Sequence, residues 1–132
     1  MKGFLYGLLS ALQGDRLAGA VDRGRLRILM YHGFCEDASA GQPWIPAYFV
    51  TRSELDEQLA YLTRHWSILR LSEAVERLRN GDLPPRAVCL TIDDGYANNL
   101  HVAQPLFQKY SAPVTIFLAS AYTESGDFYP FD

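Results

Sequence analysis

Apolar residues follow two alternating patterns along the chain, one typical of buried strands and the other of amphipathic helices. Arg25–Tyr31 (RLRILMY) follows a glycine and is rich in residues that favour strands. Ala87–Ile92 (AVCLTI) and Val114–Ala119 (VTIFLA) are nearly continuous apolar runs, as expected for parallel strands that are covered on both faces. A shorter strand is predicted at Ser67–Leu69.

Helical patterns separate these runs. Thr51 and Glu54 have the spacing of a capping box, and leucines follow at helical intervals. A second helix is predicted from a cap at Ser72 to a stop at Asn80-Gly81. A third helix is predicted after residue 96. Its apolar stripe is formed by Leu100, Ala103, Phe107 and Tyr110, and Pro105 marks a kink or a restart of the helix. Because strands alternate with helices, the fold class is α/β with a parallel sheet.

The predicted helices cover too little of this sheet. A parallel sheet needs helices on both faces, and three helices over three or four strands hardly cover one. Three aromatic residues also fall within Phe128–Asp132, with no later residues to pack against. We therefore expect an incomplete fold, the N-terminal portion of a larger domain; a frayed surface tail is the alternative interpretation of the last residues.

Residues 3–12 (GFLYGLLSAL) form an apolar stretch behind a single lysine. The stretch is shorter than the roughly 20 apolar residues of a membrane-spanning helix. It continues into Gln13, Asp15 and Arg16, which is untypical of a signal peptide. We interpret residues 1–24 as an amphipathic leader helix and residues 25–132 as the domain. The lack of a clear signal peptide favours a cytoplasmic over an exported location, and membrane association of the leader is the disfavoured alternative.

Composition excludes several classes of protein. Of the 132 residues, 48% are apolar, which is too many for a disordered linker. Twelve Lys and Arg against fifteen Asp and Glu give a net charge of −3, so we expect no nucleic-acid partner. Cys35 and Cys89 are too few for a disulfide scaffold.

The strongest candidate for chemistry is Thr91-Ile92-Asp93-Asp94-Gly95, where the apolar run Ala87–Ile92 ends. Active sites of α/β proteins gather at the carboxyl ends of parallel strands. Two adjacent carboxylates at that place repel each other unless a cation or a proton compensates. One carboxylate could then bind a metal while its neighbour acts as a base. In the alternative interpretation, Asp93 caps the following helix and Asp94 lies in its first turn.

The three histidines have different expected roles. His32 ends the first strand, where it could form a wall of the active site or be a structural residue. His65 closes the first helix and is interpreted as structural, and His101 as part of a solvated face. The His32-x-x-Cys35 spacing resembles that of metal ligands, but a lone pair is a weak signal.

Aromatic residues accompany the long irregular stretch between Gly33 and Val50. Trp44, Tyr48 and Phe49 could stack on sugar rings, but we expect them to cover the sheet edge and the core, because aromatic residues are mostly buried. Tyr96 follows the aspartate pair and could either line the site or pack inside.

Four segments resemble the start of a polysaccharide deacetylase, the NodB-homology domain of carbohydrate esterase family 4. The resemblance covers residues 25 to 132 and includes a strand that ends in T-[FI]-D-D-G, with Ile92 in place of the usual phenylalanine. The four segments are Arg27–His32, Ser53–Leu62, Leu83–Tyr96 and Ala112–Ala119.

The resemblance implies a distorted (β/α) barrel and a metal-dependent hydrolase that removes N-acetyl groups from amino-sugar polysaccharides. By position, Asp93 is the general base and Asp94 a metal ligand. The metal is usually zinc, which polarises the acetamide carbonyl and activates water. His32 and Tyr96 are candidates for the active-site wall.

One element of the family pattern is missing. The family completes its metal site with H-[ST]-x-x-H, whereas no two of the three histidines here are four positions apart. Because a catalytic zinc usually has three protein ligands, we expect this chain to be inactive by itself. The alternatives are a truncated or degenerate module without catalysis and another carboxylate–metal α/β protein, such as a phosphoacceptor receiver.

Overall fold

The computed structural model describes residues 24–126, which form a parallel sheet with helices between its strands. Its central strand β5 (Ala87–Ile92) is buried along its whole length. Strand β1 (Leu26–Tyr31) pairs with β5 in parallel from Leu26 opposite Ala87 to Tyr31 opposite Ile92. This arrangement confirms the predicted α/β class.

The second edge of β5 is shared by two short strands. Strand β4 (Ser67–Ile68) pairs with the amino-terminal end of β5, at Ala87 and Val88. Strand β6 (Thr115–Ile116) pairs with its carboxyl-terminal end, at Thr91 and Ile92. Because β1 occupies the other edge throughout, β4 and β6 lie on the same side of β5, one at each end.

Helix α1 (Arg52–His65) begins with the predicted capping box. The Thr51 hydroxyl accepts a hydrogen bond from the Glu54 N–H, and the Glu54 carboxylate accepts one from the Thr51 N–H at 3.0 Å. The helix ends at His65, as the sequence indicates. Arg52 forms an ion pair with Glu36 at 2.6 Å, which links the first turn of the helix to the preceding loop.

Helix α2 (Leu71–Asn80) does not have the N-cap that the sequence predicted. Arg70 occupies the N-cap position without a side-chain cap, and Ser72 lies inside the first turn. The C-terminal stop is confirmed, because Gly81 adopts a left-handed conformation with φ 71°.

The third predicted helix is divided. A π-helical turn at Asn99–Ala103 precedes helix α3 (Gln104–Lys109), and Pro105 lies in the first turn of α3, where a missing N–H is tolerated. The restart at Pro105 is therefore confirmed. Leu100 does not belong to the buried stripe, since it is 56% exposed.

The main core lies between the sheet and helices α1 and α3. A buried tyrosine hydroxyl in this core, that of Tyr31, donates to Gln58 Oε1 at 2.8 Å, and burial raises the pKa of Tyr31 well above its usual value. The buried apolar side chains that the sheet and these two helices contribute are Tyr31, Val88, Leu90, Ile92, Leu55, Leu59, Leu62, Leu106 and Phe107.

The predicted buried strand Val114–Ala119 is largely wrong. Only Thr115–Ile116 pairs as a strand, before a short helix α4 (Ser120–Ser125). Ile116, Phe117 and Leu118 are 45%, 50% and 60% exposed. Roughly half of the surface of these side chains thus stays exposed among residues 24–126, so the apolar run lacks the burial that would make it a full strand.

Two short strands close the long loop between β1 and α1. Strand β2 (Phe34–Cys35) pairs in parallel with β3 (Val50–Thr51), which brings both ends of the loop together. A 3₁₀ turn at Asp37–Ser39 lies between them. The sequence pattern had predicted only an irregular stretch here.

Parts of the predicted organisation lie outside the described residues. These include the leader helix, up to residue 23, and the aromatic segment Phe128–Asp132, so the proposed domain boundaries stay a prediction. Between residues 24 and 126, no helix combines the length and the apolar character needed to cross a membrane.

Candidate active site at the carboxyl ends of β1 and β5

The candidate site lies where β1 and β5 end side by side. Tyr31 and Ile92 are paired at the last position of the two strands. The backbone pairing continues one step further, because the Asp93 N–H donates to the Tyr31 carbonyl at 2.9 Å. His32 and Asp93 thus leave neighbouring strands at the same edge of the sheet, as the predicted site requires.

Asp93, Asp94 and Gly95 form a tight turn directly after β5. The Gly95 N–H donates to the Asp93 carbonyl at 2.9 Å, which closes a three-residue turn around Asp94. Asp94 has φ 72°, in the left-handed region that costs a residue with a Cβ about 1–2 kcal/mol. Strained backbone of this kind is concentrated at functional sites.

The turn decides against the capping interpretation of the aspartate pair. A residue in the first turn of a helix has a negative φ, whereas Asp94 is left-handed and helical structure starts only at Ala97. Gly95 is also left-handed, with φ 77°, and a Cβ there would overlap the Leu118 side chain. The two carboxylates are therefore presented by a strained turn ahead of the helix.

A pair of asparagines, which the sequence reasoning missed, joins the two strand ends. Asn99 is 5% exposed. With its amide turned so that donors face acceptors, its Nδ2 donates to the His32 carbonyl and to Asn98 Oδ1, both at 3.0 Å. Its Oδ1 accepts from the Tyr96 N–H at 3.2 Å. Asn98 Oδ1 also accepts from the Phe34 N–H at 3.0 Å.

This network ties the segment after β1 to the turn after β5. The available signal in the sequence was the occurrence of two consecutive asparagines where an apolar helical stripe begins. Asn99 also opens the π-helical turn, a distortion that is frequent at functional sites.

Four rings form a continuous row along this edge, which we call the aromatic row: His32, Tyr48, Phe49 and Tyr96. Successive ring centroids lie 5.5, 5.4 and 5.3 Å apart, and each pair of rings meets edge to face. Gly33 makes this packing possible, because a Cβ at that position would overlap the Phe49 ring. The structure thus brings His32 and Tyr96, the two candidates for the wall, into one row.

The expected burial of the loop aromatics is wrong for two of the three. Trp44 is 72% exposed and Tyr48 is 53% exposed, whereas Phe49 is half-buried within the aromatic row. The loop is closed at its base by β2 and β3, and neither side chain belongs to the described core cluster.

The two other histidines and Cys35 have surroundings of their own outside the aspartate turn. The ring of His65, at the end of α1, contacts that of Tyr61 with centroids 4.6 Å apart, and His101 is exposed in the π-helical turn. Burial, with the nearby Glu54 carboxylate, raises the pKa of the Cys35 thiol, which keeps it protonated. No group of three potential metal ligands includes His32 and Cys35 among the described residues.

The described residues do not form a complete metal site. Among residues 24–126, no three His, Cys, Asp or Glu side chains are grouped as metal ligands would be. Asp94 can offer a carboxylate oxygen, a type of ligand that zinc accepts, but a catalytic zinc usually has three protein ligands. No reaction step through a metal can be built from these residues alone.

Curated relatives are poly-β-1,6-N-acetyl-D-glucosamine N-deacetylases. The chain is 28% identical over 89 residues to the one from Staphylococcus aureus (strain N315), and 31% identical over 91 residues to the one from Staphylococcus epidermidis. These matches include 67% and 68% of this chain but only 31% and 32% of the relatives. The chain thus spans about a third of their length. No protein-family model matches the chain.

The solved structures that superimpose on the chain include further deacetylases. The Streptococcus pyogenes deacetylase PplD, solved in complex with acetate, superimposes with a TM-score of 0.67 at 30% identity, over 77% of this chain and 46% of that one. IcaB from Ammonifex degensii superimposes with a TM-score of 0.63 at 26% identity, over 74% and 39%. A de-N-acetylase from Aggregatibacter actinomycetemcomitans, 22% identical with a TM-score of 0.68, shares the fold. The chain therefore belongs to the polysaccharide deacetylase family and carries part of a NodB-homology domain.

Proposed function

We propose that residues 24–126 carry the carboxylate half of a site that removes N-acetyl groups from an amino-sugar polysaccharide. The observation that carries this proposal is the strained turn at Asp93–Gly95, at the carboxyl end of the central buried strand. A sequence that needed only a helix start here would place Asp94 in a relaxed conformation. The cost of the left-handed Asp94 is consistent with a carboxylate that must point in a defined direction.

The two carboxylates have different roles in this proposal. Asp93 accepts the proton of the water that attacks the acetamide carbonyl, which is general-base catalysis. Asp94 is a ligand of a divalent cation, with zinc as the expected metal. The other ligands come from residues outside 24–126, since the described residues do not supply them.

The names of the relatives support the substrate class. The staphylococcal relatives are described as acting on poly-β-1,6-N-acetyl-D-glucosamine, and PplD is described as a deacetylase. We therefore propose an N-acetylated polysaccharide or oligosaccharide as substrate. The family relationship leaves no support for the receiver alternative.

A second candidate is a related module without catalysis. It is favoured by the lack of a three-ligand metal cluster among residues 24–126. Such a module would keep the fold and the turn, and it would need another chain to complete a site.

Acetate release distinguishes the two candidates. The protein translated from the complete reading frame and the 132-residue chain are each incubated with an N-acetylglucosamine oligosaccharide, with and without a chelator. We expect the former to release acetate in a chelator-sensitive way and the 132-residue chain to release none. A reading frame that ends at Asp132, together with no acetate release, would establish the module without catalysis. Acetate release that a chelator leaves unchanged would contradict the role of Asp94.

A further inference from the structure

Strand β5 carries a buried hydroxyl close to the candidate site, that of Thr91. The residue is only 4% exposed, and the strand around it is buried along its whole length. Among residues 24–126, no group forms a hydrogen bond with Thr91 Oγ1. Buried hydroxyls are nearly always paired with protein or with water, because burial without a partner is costly. Thr91 Oγ1 therefore needs a partner other than these residues.

Thr91 and Asp93 lie on the same face of β5. Side chains alternate along a strand, and Leu90 and Ile92 belong to the main core, so Thr91 is directed to the opposite face. The pairing with β1 continues through Asp93, whose N–H donates to the Tyr31 carbonyl at 2.9 Å. The alternation therefore brings the Asp93 side chain to the face of Thr91, two positions nearer the end of the sheet.

The Asp93 carboxylate is the nearest charged group along this face. It forms no hydrogen bond with any of the described residues, although Asp93 is half-buried. Residues two apart on a strand are separated by roughly 6.6 Å. This separation is too long for a direct hydrogen bond between two short side chains, and it fits two hydrogen bonds through one water.

The surroundings are polar enough to hold such a water. Thr115 of β6 pairs in register with Thr91, which places a second hydroxyl on the same face. A buried water forms hydrogen bonds to about two to four polar groups. Thr91, Thr115 and Asp93 together supply that number, whereas the opposite face of the strand end is the apolar core.

We infer that Thr91 is a positioning residue for Asp93 and acts through one buried water. The Thr91 hydroxyl donates to this water, and the water donates to one oxygen of the Asp93 carboxylate. The other carboxylate oxygen is thereby fixed in the direction from which it accepts the proton of the attacking water. The inference rests on the proposed function, and it adds the group that orients the base.

Thr91→Val tests this role, because valine keeps the shape of the side chain and removes the hydroxyl. Loss of a hydroxyl together with its water costs the fold little, so the urea midpoint of the 132-residue chain should stay the same or rise. In the protein translated from the complete reading frame, kcat for acetate release from an N-acetylglucosamine oligosaccharide should fall about 10–100-fold. This is the rate equivalent of one hydrogen bond to a charged group. KM should stay unchanged.

Thr91→Ser gives the opposite pattern. Serine keeps the hydroxyl and loses a buried methyl group, so it should lower the urea midpoint and keep kcat close to that of the unsubstituted protein. Thr63→Val is the matched control. Thr63 is exposed on α1, and its hydroxyl donates to the Leu59 carbonyl at 2.8 Å. We expect this variant to leave kcat unchanged.

The unsubstituted protein separates failure of the inference from failure of the proposed function. If it releases acetate and Thr91→Val has the same kcat, the positioning role is overturned and the proposed function stands. Equal losses of kcat in Thr91→Val and Thr91→Ser, or a lower urea midpoint for Thr91→Val than for Thr91→Ser, would show that Thr91 serves the fold only. No acetate release by the unsubstituted protein rejects the proposed function and the positioning role together.

Discussion

Replacement of Asp93 by asparagine is expected to lower acetate release by about 10²–10⁴-fold, the range that a positioned general base contributes. Asparagine has nearly the same shape but cannot accept the proton from water at neutral pH. The fold should be preserved, because the Asp93 backbone makes the hydrogen bonds to Tyr31 and Gly95. The measurement is acetate release from an N-acetylglucosamine oligosaccharide by the protein translated from the complete reading frame.

Asp82→Asn is the matched control for this variant. Asp82 is an exposed aspartate after the stop of α2, at Gly81, and takes no part in the candidate site. We expect its substitution to leave acetate release unchanged. A similar rate for Asp93→Asn and Asp82→Asn would refute the assignment of Asp93 as the base.

Replacement of Asn99 by alanine is expected to lower the free energy of unfolding by about 1–3 kcal/mol, the cost of leaving buried polar groups unsatisfied. The substitution removes the amide that joins the His32 carbonyl, Asn98 Oδ1 and the Tyr96 N–H. Urea denaturation of the 132-residue chain measures the change. Asn80→Ala, at the exposed end of α2, is the control and should change the stability by less than about 0.5 kcal/mol.

A positioning role for Asn99 predicts a second effect besides lost stability. The amide resonances of His32 and Phe34 should shift, because the network fixes the segment after β1 relative to the turn. Resonances at the amino-terminal end of the sheet, near Ala87, should not. Unchanged stability together with unchanged His32 and Phe34 resonances would show that the network does not hold the site together.

The sequence predicted those elements whose causes are local. The capping box of Thr51 and Glu54 and the glycine stop at Gly81 each depend on residues within one turn, and both are present. The continuous apolar run Ala87–Ile92 became the fully buried central strand. Ser72 failed as a cap because the backbone is already extended at Arg70 and helical from Leu71.

The failures concern features that depend on distant residues. The run Val114–Ala119 has the composition of a buried strand, but burial needs a covering layer, which the residues from 24 to 126 do not provide. The pairing of Phe34 with Val50 spans the whole loop and carries no local signal. For the same reason, the exposure of Trp44 and Tyr48 could not be deduced from their type, which favours burial.

The candidate site was predicted in part. The spacing of Asp93 and Asp94 after an apolar run identified the edge of the sheet, and the resemblance to the deacetylases suggested their roles. The left-handed conformation of Asp94 was not predictable from its residue type. Aspartate adopts this conformation more often than most residues with a Cβ, but it still does so only occasionally. The bridging role of Asn99 depends on a carbonyl at His32, far away in the sequence.

The most direct test of the central claim is to locate a bound divalent cation with paramagnetic Co²⁺. Resonances of the isotope-labelled protein translated from the complete reading frame are recorded at increasing Co²⁺ concentration, with Asp94→Asn as the variant. Asparagine tolerates a left-handed backbone, so this change removes the charged ligand and keeps the turn. We predict broadening centred on residues 93–96 and on His32, which Asp94→Asn abolishes and Asp82→Asn does not. Broadening that persists unchanged in Asp94→Asn would contradict the account.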